Sequence, residues 1–98
     1  MEVNEIKDKV GLVAELLKTM AHPDRLLVLC QLMEGEMGAG QLQESSSLSQ
    51  SAFSQHLSVL RKKSLVSVRK ESQAVFYSLA DPRIAALITS LHDIFCAE

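Results

Sequence analysis

The feature that most limits the fold is a change of apolar period along the chain. Up to Leu60 apolar residues recur every three or four positions, from Val66 to Leu79 they alternate, and after Asp81 and Pro82 the wider spacing returns. Steps of three and four lay side chains along one stripe of a helix, whereas alternation lays them on one face of a strand. The chain is therefore expected to be mainly α with a small β-hairpin, in the order four helices, two strands, one helix.

Ile6, Val10, Val13, Leu17 and Met20 predict a first helix over about 4–20, with Lys7, Lys9, Glu15 and Lys18 mostly off its stripe. Pro23 suits the first position of a second helix and Asp24 the positive end of its dipole, while Leu26, Leu27, Leu29, Cys30 and Met33 form its apolar side. Gly38 and Gly40 end it. The stretch "GQLQESS" has room for about two turns, too few to stand without a neighbour. Ser45 to Leu48 connect it to a helix capped by Ser49 and running to about Lys63, with Phe53, Leu57 and Leu60 inward. A short helix, a tight turn and a longer helix make a helix-turn-helix.

Beyond Ser64, Val66 and Val68, then Val75, Tyr77 and Leu79, alternate with neighbours such as Arg69 and Ser78, and Lys70 to Ala74 closes the hairpin. Asp81 as cap and Pro82 at the first helical position open a last helix over about 82–96, with Ile84, Leu87, Ile88, Leu91 and Phe95 on one face.

A chain of 98 residues with 47% apolar content fits one domain, 1–98, and buries only a modest share of its surface alone. That points to dimerisation. No apolar run is long enough to span a bilayer and the charged start "MEVNEIKDKV" is not built as a signal peptide, so the expected location is cytoplasmic, at the nucleoid, with no membrane partner. In a reducing compartment Cys30 and Cys96 are not expected to form a permanent bridge; acting together, they act as a switch.

The formal net charge of -2 argues against nucleic acid until its distribution is considered. Between Gln50 and Gln73 five bases (Arg61, Lys62, Lys63, Arg69, Lys70) stand against one acid (Glu71), a local +4 that leaves -6 elsewhere. On the helix after Ser49, residues Gln50, Ser51, Ser54, Gln55, Ser58 and Lys62 share the face opposite Phe53, Leu57 and Leu60. Short donors and acceptors of this kind, with Ser49 counted among them, can enter a major groove, with Arg61, Lys62 and Lys63 on phosphates and Arg69 and Lys70 extending from a wing. The bland alternatives are a solvated helix face and a polar turn.

His56 borders the apolar stripe and reads as a half-buried histidine donating to a backbone carbonyl or a phosphate. As a general base it has no partner: Ser54 points elsewhere on the helix and no carboxylate lies within one turn, so enzyme activity is not expected. The histidines and cysteines show no CxxC or HxxxH spacing, so no metal and no cofactor is expected. Each cysteine alone also fits an ordinary small apolar residue.

The segments "LLKTMAHPDRLLVLCQL", "SQSAFSQHLSVLRKKSLV" and "RKESQAVFYSL" resemble the ArsR/SmtB family of winged helix-turn-helix regulators over about Leu16 to Leu79. Within it, "SQSAFSQHL" and the two cysteine positions are most similar to the HlyU branch of virulence-gene regulators and to relatives that sense sulfide and oxidants through paired cysteines. The resemblance implies a homodimer joined through Ile6, Val10, Val13 and Leu17 of the first helix and Ile84, Leu87, Ile88, Leu91 and Phe95 of the last. It also implies double-stranded promoter DNA as partner, and a dithiol switch formed by Cys30 and Cys96 whose oxidation weakens DNA binding. Metal sensing is disfavoured, because the short helix has no cysteine and Arg83 stands where a DxH pair would place histidine. The HlyU likeness implies up-regulation of toxin genes by displacing a silencing protein. A protein-binding winged-helix module, or a repressor of sulfur- and oxidant-detoxification genes, is the alternative.

Overall fold

In the computed structural model, which describes residues 1–96, the chain runs α1 (Val3–Lys7), α2 (Val10–Met20), α3 (Pro23–Gln31), β1 (Met37–Gly38), α4 (Ala39–Glu44), α5 (Gln50–Lys62), β2 (Val66–Glu71), β3 (Ala74–Leu79) and α6 (Pro82–Phe95). One 3₁₀ turn, Leu32–Glu34, follows α3. This is the expected winged helix-turn-helix with two corrections to the order.

The first helix is two pieces. α1 buries nothing and stops at Lys7, and Lys9 N–H donates to the Ile6 carbonyl in a turn before α2 restarts. Without tertiary packing, propensity alone does not hold a five-residue helix to its neighbour.

The sheet has three strands in the order β1-β3-β2, all antiparallel, because Met37 and Gly38 pair with Tyr77 and Phe76. A two-residue strand has no alternation to detect. The hairpin is also tighter than Lys70 to Ala74: Glu71 pairs with Ala74, leaving Ser72 and Gln73 as the turn. Ser72 has φ 55°, as the first central position of a type II′ turn requires.

Local chemistry sets the helix ends. Ser49 Oγ accepts from Ala52 N–H at 3.2 Å, capping α5 as expected. At its other end Ser64 adopts φ 63°, its N–H donates to the Arg61 carbonyl, and Leu65 N–H donates to the Leu60 carbonyl. Those two bonds form a Schellman motif and turn the chain directly into β2. Asp81 Oδ1 caps α6 through Arg83 N–H at 2.9 Å, with Pro82 in its first turn.

The core gathers Phe53, Leu57 and Leu60 of α5 with Leu29 of α3, Leu42 of α4 and Ile84 of α6, all buried. Ile84 is 0% and Ile88 4% exposed within this single chain. These two were expected at a dimer interface, and their place in the chain's own core removes them from it. One apolar stripe on a terminal helix serves two surfaces, and periodicity does not divide it between them.

Because Ser64 holds a left-handed conformation that costs an L-residue about 1–2 kcal/mol, Ser64→Gly should raise stability by up to about 1 kcal/mol in urea unfolding. An unchanged or lower midpoint would contradict the assigned cap.

Candidate nucleic-acid interface

Position on α5 follows from what its other side touches. With Phe53, Leu57 and Leu60 in the core, Gln50, Ser51, Ser54, Gln55, Ser58, Arg61 and Lys62 are all exposed. Ser51, Gln55, Ser58 and Lys62, spaced by four, three and four, form the outer ridge. Gln50 and Ser54 instead line a cleft of about 350 Å³ against α4, with Ala39, Gly40 and Gln43. The face read as uniform from the sequence thus has an outer ridge and an edge toward α4. Ser49 has its oxygen committed to the helix cap.

The turn before α5 is held by polar bonds that fix α5 against α3. Ser46 Oγ donates to Asp24 Oδ1 at 2.8 Å and accepts from Leu48 N–H at 3.1 Å. Gln31 Nε2 donates to Ser45 Oγ at 3.0 Å, and Gln43 Nε2 donates to the Leu48 carbonyl at 3.1 Å. The serines that looked like turn-formers are therefore clamps between elements 14 and 22 residues apart in sequence.

His56 is half-buried, as expected, but its neighbour is another imidazole: the His22 ring centroid lies 4.0 Å away at an interplanar angle of 38°. His22 caps α3 by accepting from Asp24 N–H at Nδ1, 3.1 Å. Desolvation, then His22, then Arg25 hold the His56 pKa below its ordinary value, partly opposed by Asp24. Nothing in the spacing of residues 22 and 56 announces this pair.

The bases behave unequally. Among the described residues no ion pair engages Arg61, Lys62, Lys63 or Lys70. Arg61 and Lys62 in the last turn of α5 also suit the negative end of its dipole. Arg69, expected on a phosphate, donates instead to two carboxylates, Glu36 and Glu71. Glu36 comes from 33 positions away, outside the window in which the sequence shows +4.

Cys30 and Cys96 line one apolar groove of about 620 Å³ between α3 and α6, beside Leu26, Met33, Leu91 and Phe95. Both are free and exposed. Burial within the groove, and then the neighbouring Cys96, push the Cys30 thiol up, which disfavours its thiolate. Among the described residues no group of three or more histidine, cysteine or acidic side chains is arranged to hold a metal ion. No helix among them is long and apolar enough to cross a membrane.

Comparison with known proteins matches residues 22–68 to the model for "Bacterial regulatory protein, arsR family". The chain is 43% identical over 96 residues to the transcriptional activator HlyU of Vibrio cholerae, covering 98% of this chain and 89% of that one. It is 38% identical over 98 residues to the biofilm growth-associated repressor of Xylella fastidiosa, covering all of this chain and 86% of the relative. Among solved structures, the transcriptional repressor BigR from Xylella fastidiosa superposes with a TM-score of 0.93 at 38% identity and full coverage of both chains. Reduced HlyU from Vibrio cholerae gives 0.86 at 43% identity, over 94% of this chain and 97% of that one.

A histidine held neutral by the fold costs stability when protonated: the unfolded chain takes up protons first, so stability falls as pH drops below about 6.5 toward the lowered folded value. The melting temperature of the wild type should therefore fall between about pH 7.5 and 5.5, and His56→Gln should shrink that fall. Identical falls in both proteins would show that the imidazole pair carries no such linkage.

Proposed function

The chain belongs to the ArsR family of bacterial regulatory proteins, and from that premise we propose that it acts as a homodimer that reads promoter DNA with α5 under the control of its two thiols. As a member of that family it is a transcription regulator and not an enzyme.

The observation that carries the DNA reading is the ridge of α5. Ser51, Gln55 and Ser58 on the ridge, with Gln50 and Ser54 along its edge toward α4, offer hydrogen-bonding groups from a helix whose opposite side is locked in the core, so this face can enter a major groove without loss of packing. Arg61, Lys62 and Lys63 at its end, with Lys70 on the hairpin, take the phosphates. Ser49 is assigned to the cap and Arg69 is left out of the phosphate set, because its N–H groups are already given to carboxylates.

Dimerisation rests on uncovered apolar surface. Val10 is 52%, Leu17 48% and Phe95 78% exposed, and Ile6 and Val13 are exposed as well. Contiguous apolar patches of this kind mark an interface. The assigned surface is Ile6, Val10, Val13 and Leu17 with the exposed Phe95 and the half-buried Leu87 and Leu91 of α6, which also pack on the core. A two-fold pair would set two α5 helices about one turn of DNA, roughly 34 Å, apart on a near-palindromic site.

The thiol control follows from the shared groove. Oxidation by hydrogen peroxide would join Cys30 and Cys96 in a disulfide, each thiol losing a proton and an electron while the hydrogen peroxide is reduced to two waters. A bridge between α3 and α6 draws together one element that packs on α5 and one at the assigned dimer surface, and so changes the spacing of the reading helices. The relatives include an activator and repressors. A dimer that occupies DNA represses where it blocks a promoter and activates where it displaces a silencer, the mode assigned here to virulence genes; repression of sulfur- and oxidant-detoxification genes is the second reading.

Binding to promoter-length duplex should weaken steeply with salt, with two chains per duplex by sedimentation, and Lys62→Ala or Lys63→Ala, each removing two contacts per dimer, should flatten the logarithmic salt slope by about 1.8. Salt-independent binding, or affinity for a protein partner in its place, would leave the winged helix as a protein-docking module. Peroxide treatment should lower DNA affinity of the wild type and leave Cys30→Ser and Cys96→Ser unaffected; equal losses in all three would remove the switch.

A further inference from the structure

The outer face of the sheet carries a side-chain arrangement that spans all three strands. Arg69 on β2 lies opposite Phe76 on β3, and Gly38 on β1 lies on the far side of Phe76, so the three form one row across the sheet. Glu36 stands two residues before Gly38, just outside β1, and joins this row through its carboxylate. The Arg69 guanidinium passes over the Phe76 ring, with Cζ 4.6 Å from its centroid, and reaches Glu36. Nε donates to Glu36 Oε2 at 3.0 Å and Nη2 to Glu36 Oε1 at 2.8 Å, a bidentate pair, while Nη1 donates to Glu71 Oε2 at 2.6 Å.

We infer that Arg69 is a strap across the wing and Glu36 its anchor: Glu36 is a positioning residue that fixes the hairpin to the segment leading into the helix-turn-helix and withholds the Arg69 charge from phosphate. An isolated exposed ion pair would not carry this assignment. Here the fork is bidentate, the cation rests on an aromatic face, and a second carboxylate fills a third N–H, which together restrict the side chain to one path. The anchor is also placed to matter. β1 runs straight into α4, whose start is fixed by Gly38 N–H donating to Gln41 Oε1 at 3.0 Å. The strap thereby ties the hairpin to the first helix of the reading unit by a route separate from the core. Its charges also settle the electrostatics of the wing: Glu36 and Glu71 offset Arg69 and Lys70, leaving Lys70 as the one cation of the hairpin not bound to a carboxylate among the described residues. Acidification acts through the same group. Hydrogen bonding from Arg69 holds the Glu36 carboxyl below its ordinary range, so the strap persists until the pH falls through that lowered value.

The inference rests on the DNA-binding reading for one of its two readouts, and the other is independent of it. Amide hydrogen exchange over residues 66–79 should quicken on the order of fivefold in Glu36→Gln and in Arg69→Ala, and stay at the wild-type rate in Lys70→Ala. Binding to a fluorescein-labelled duplex of mixed sequence should then separate the roles. With two copies on the duplex, Lys70→Ala flattens the logarithmic salt slope by about 1.8, Arg69→Ala leaves the slope as in the wild type, and Glu36→Gln steepens it by up to about 1.8 as the guanidinium is released. Wild-type exchange in both Glu36→Gln and Arg69→Ala overturns the strap. A slope flattened by Arg69→Ala and unmoved by Glu36→Gln makes Arg69 a phosphate contact and overturns it equally. If the wild type shows no salt-dependent binding, the DNA reading fails while the exchange rates still decide the strap.

Discussion

The structure depends on the apolar seam along the inner side of α5. Phe53, Leu57 and Leu60 are buried against side chains from α3, α4 and α6, and burying each is worth about 1.5–3 kcal/mol. That seam fixes the rotation of α5 about its own axis. Everything presented outward, from Gln50 at the α4 edge to Lys62 at the end of the ridge, takes its direction from it. A helix held by its polar face could rotate or slide; one held by three large apolar groups, a serine cap and a Schellman motif has a single register.

Polar bonds then set relations that burial alone leaves loose. Ser46 joins the turn to Asp24 at the start of α3, Gln31 joins the end of α3 to Ser45, and His56 rests on the cap residue His22. The wing is governed in the same way, by a strap over Phe76 rather than by burial, since β3 is only half-buried along most of its length. Charge in this molecule is consequently a property of place. The window from Gln50 to Gln73 holds five bases, yet the fold carries Glu36 into the wing and leaves the cations at the end of α5 without an ion pair among the described residues.

The surface around α6 divides between two tasks. Its inner residues Ile84 and Ile88 complete the core, while its C-terminal turns border the groove that brings Cys30 and Cys96 to one place. A thiol pushed toward its protonated form is slow to react unaided. Under the proposed thiol control, such a pair favours a reactive oxidant, and the apolar walls beside Met33 and Phe95 tell against highly charged ones.

The sequence by itself determined the local elements: the change of apolar period located helices and hairpin, Ser49, Pro23, Asp81 and Pro82 located their ends, and the residues opposite Phe53, Leu57 and Leu60 defined the outer face of α5. These are legible because helix and strand periods and caps act within a few residues. The third strand, the division of the α6 stripe between core and surface, the His22 and His56 pair and the capture of Arg69 by Glu36 were decided only by tertiary structure. Each joins residues that are far apart in the chain, or splits one periodic stripe between two partners, and spacing carries no information about which surfaces meet once the chain folds.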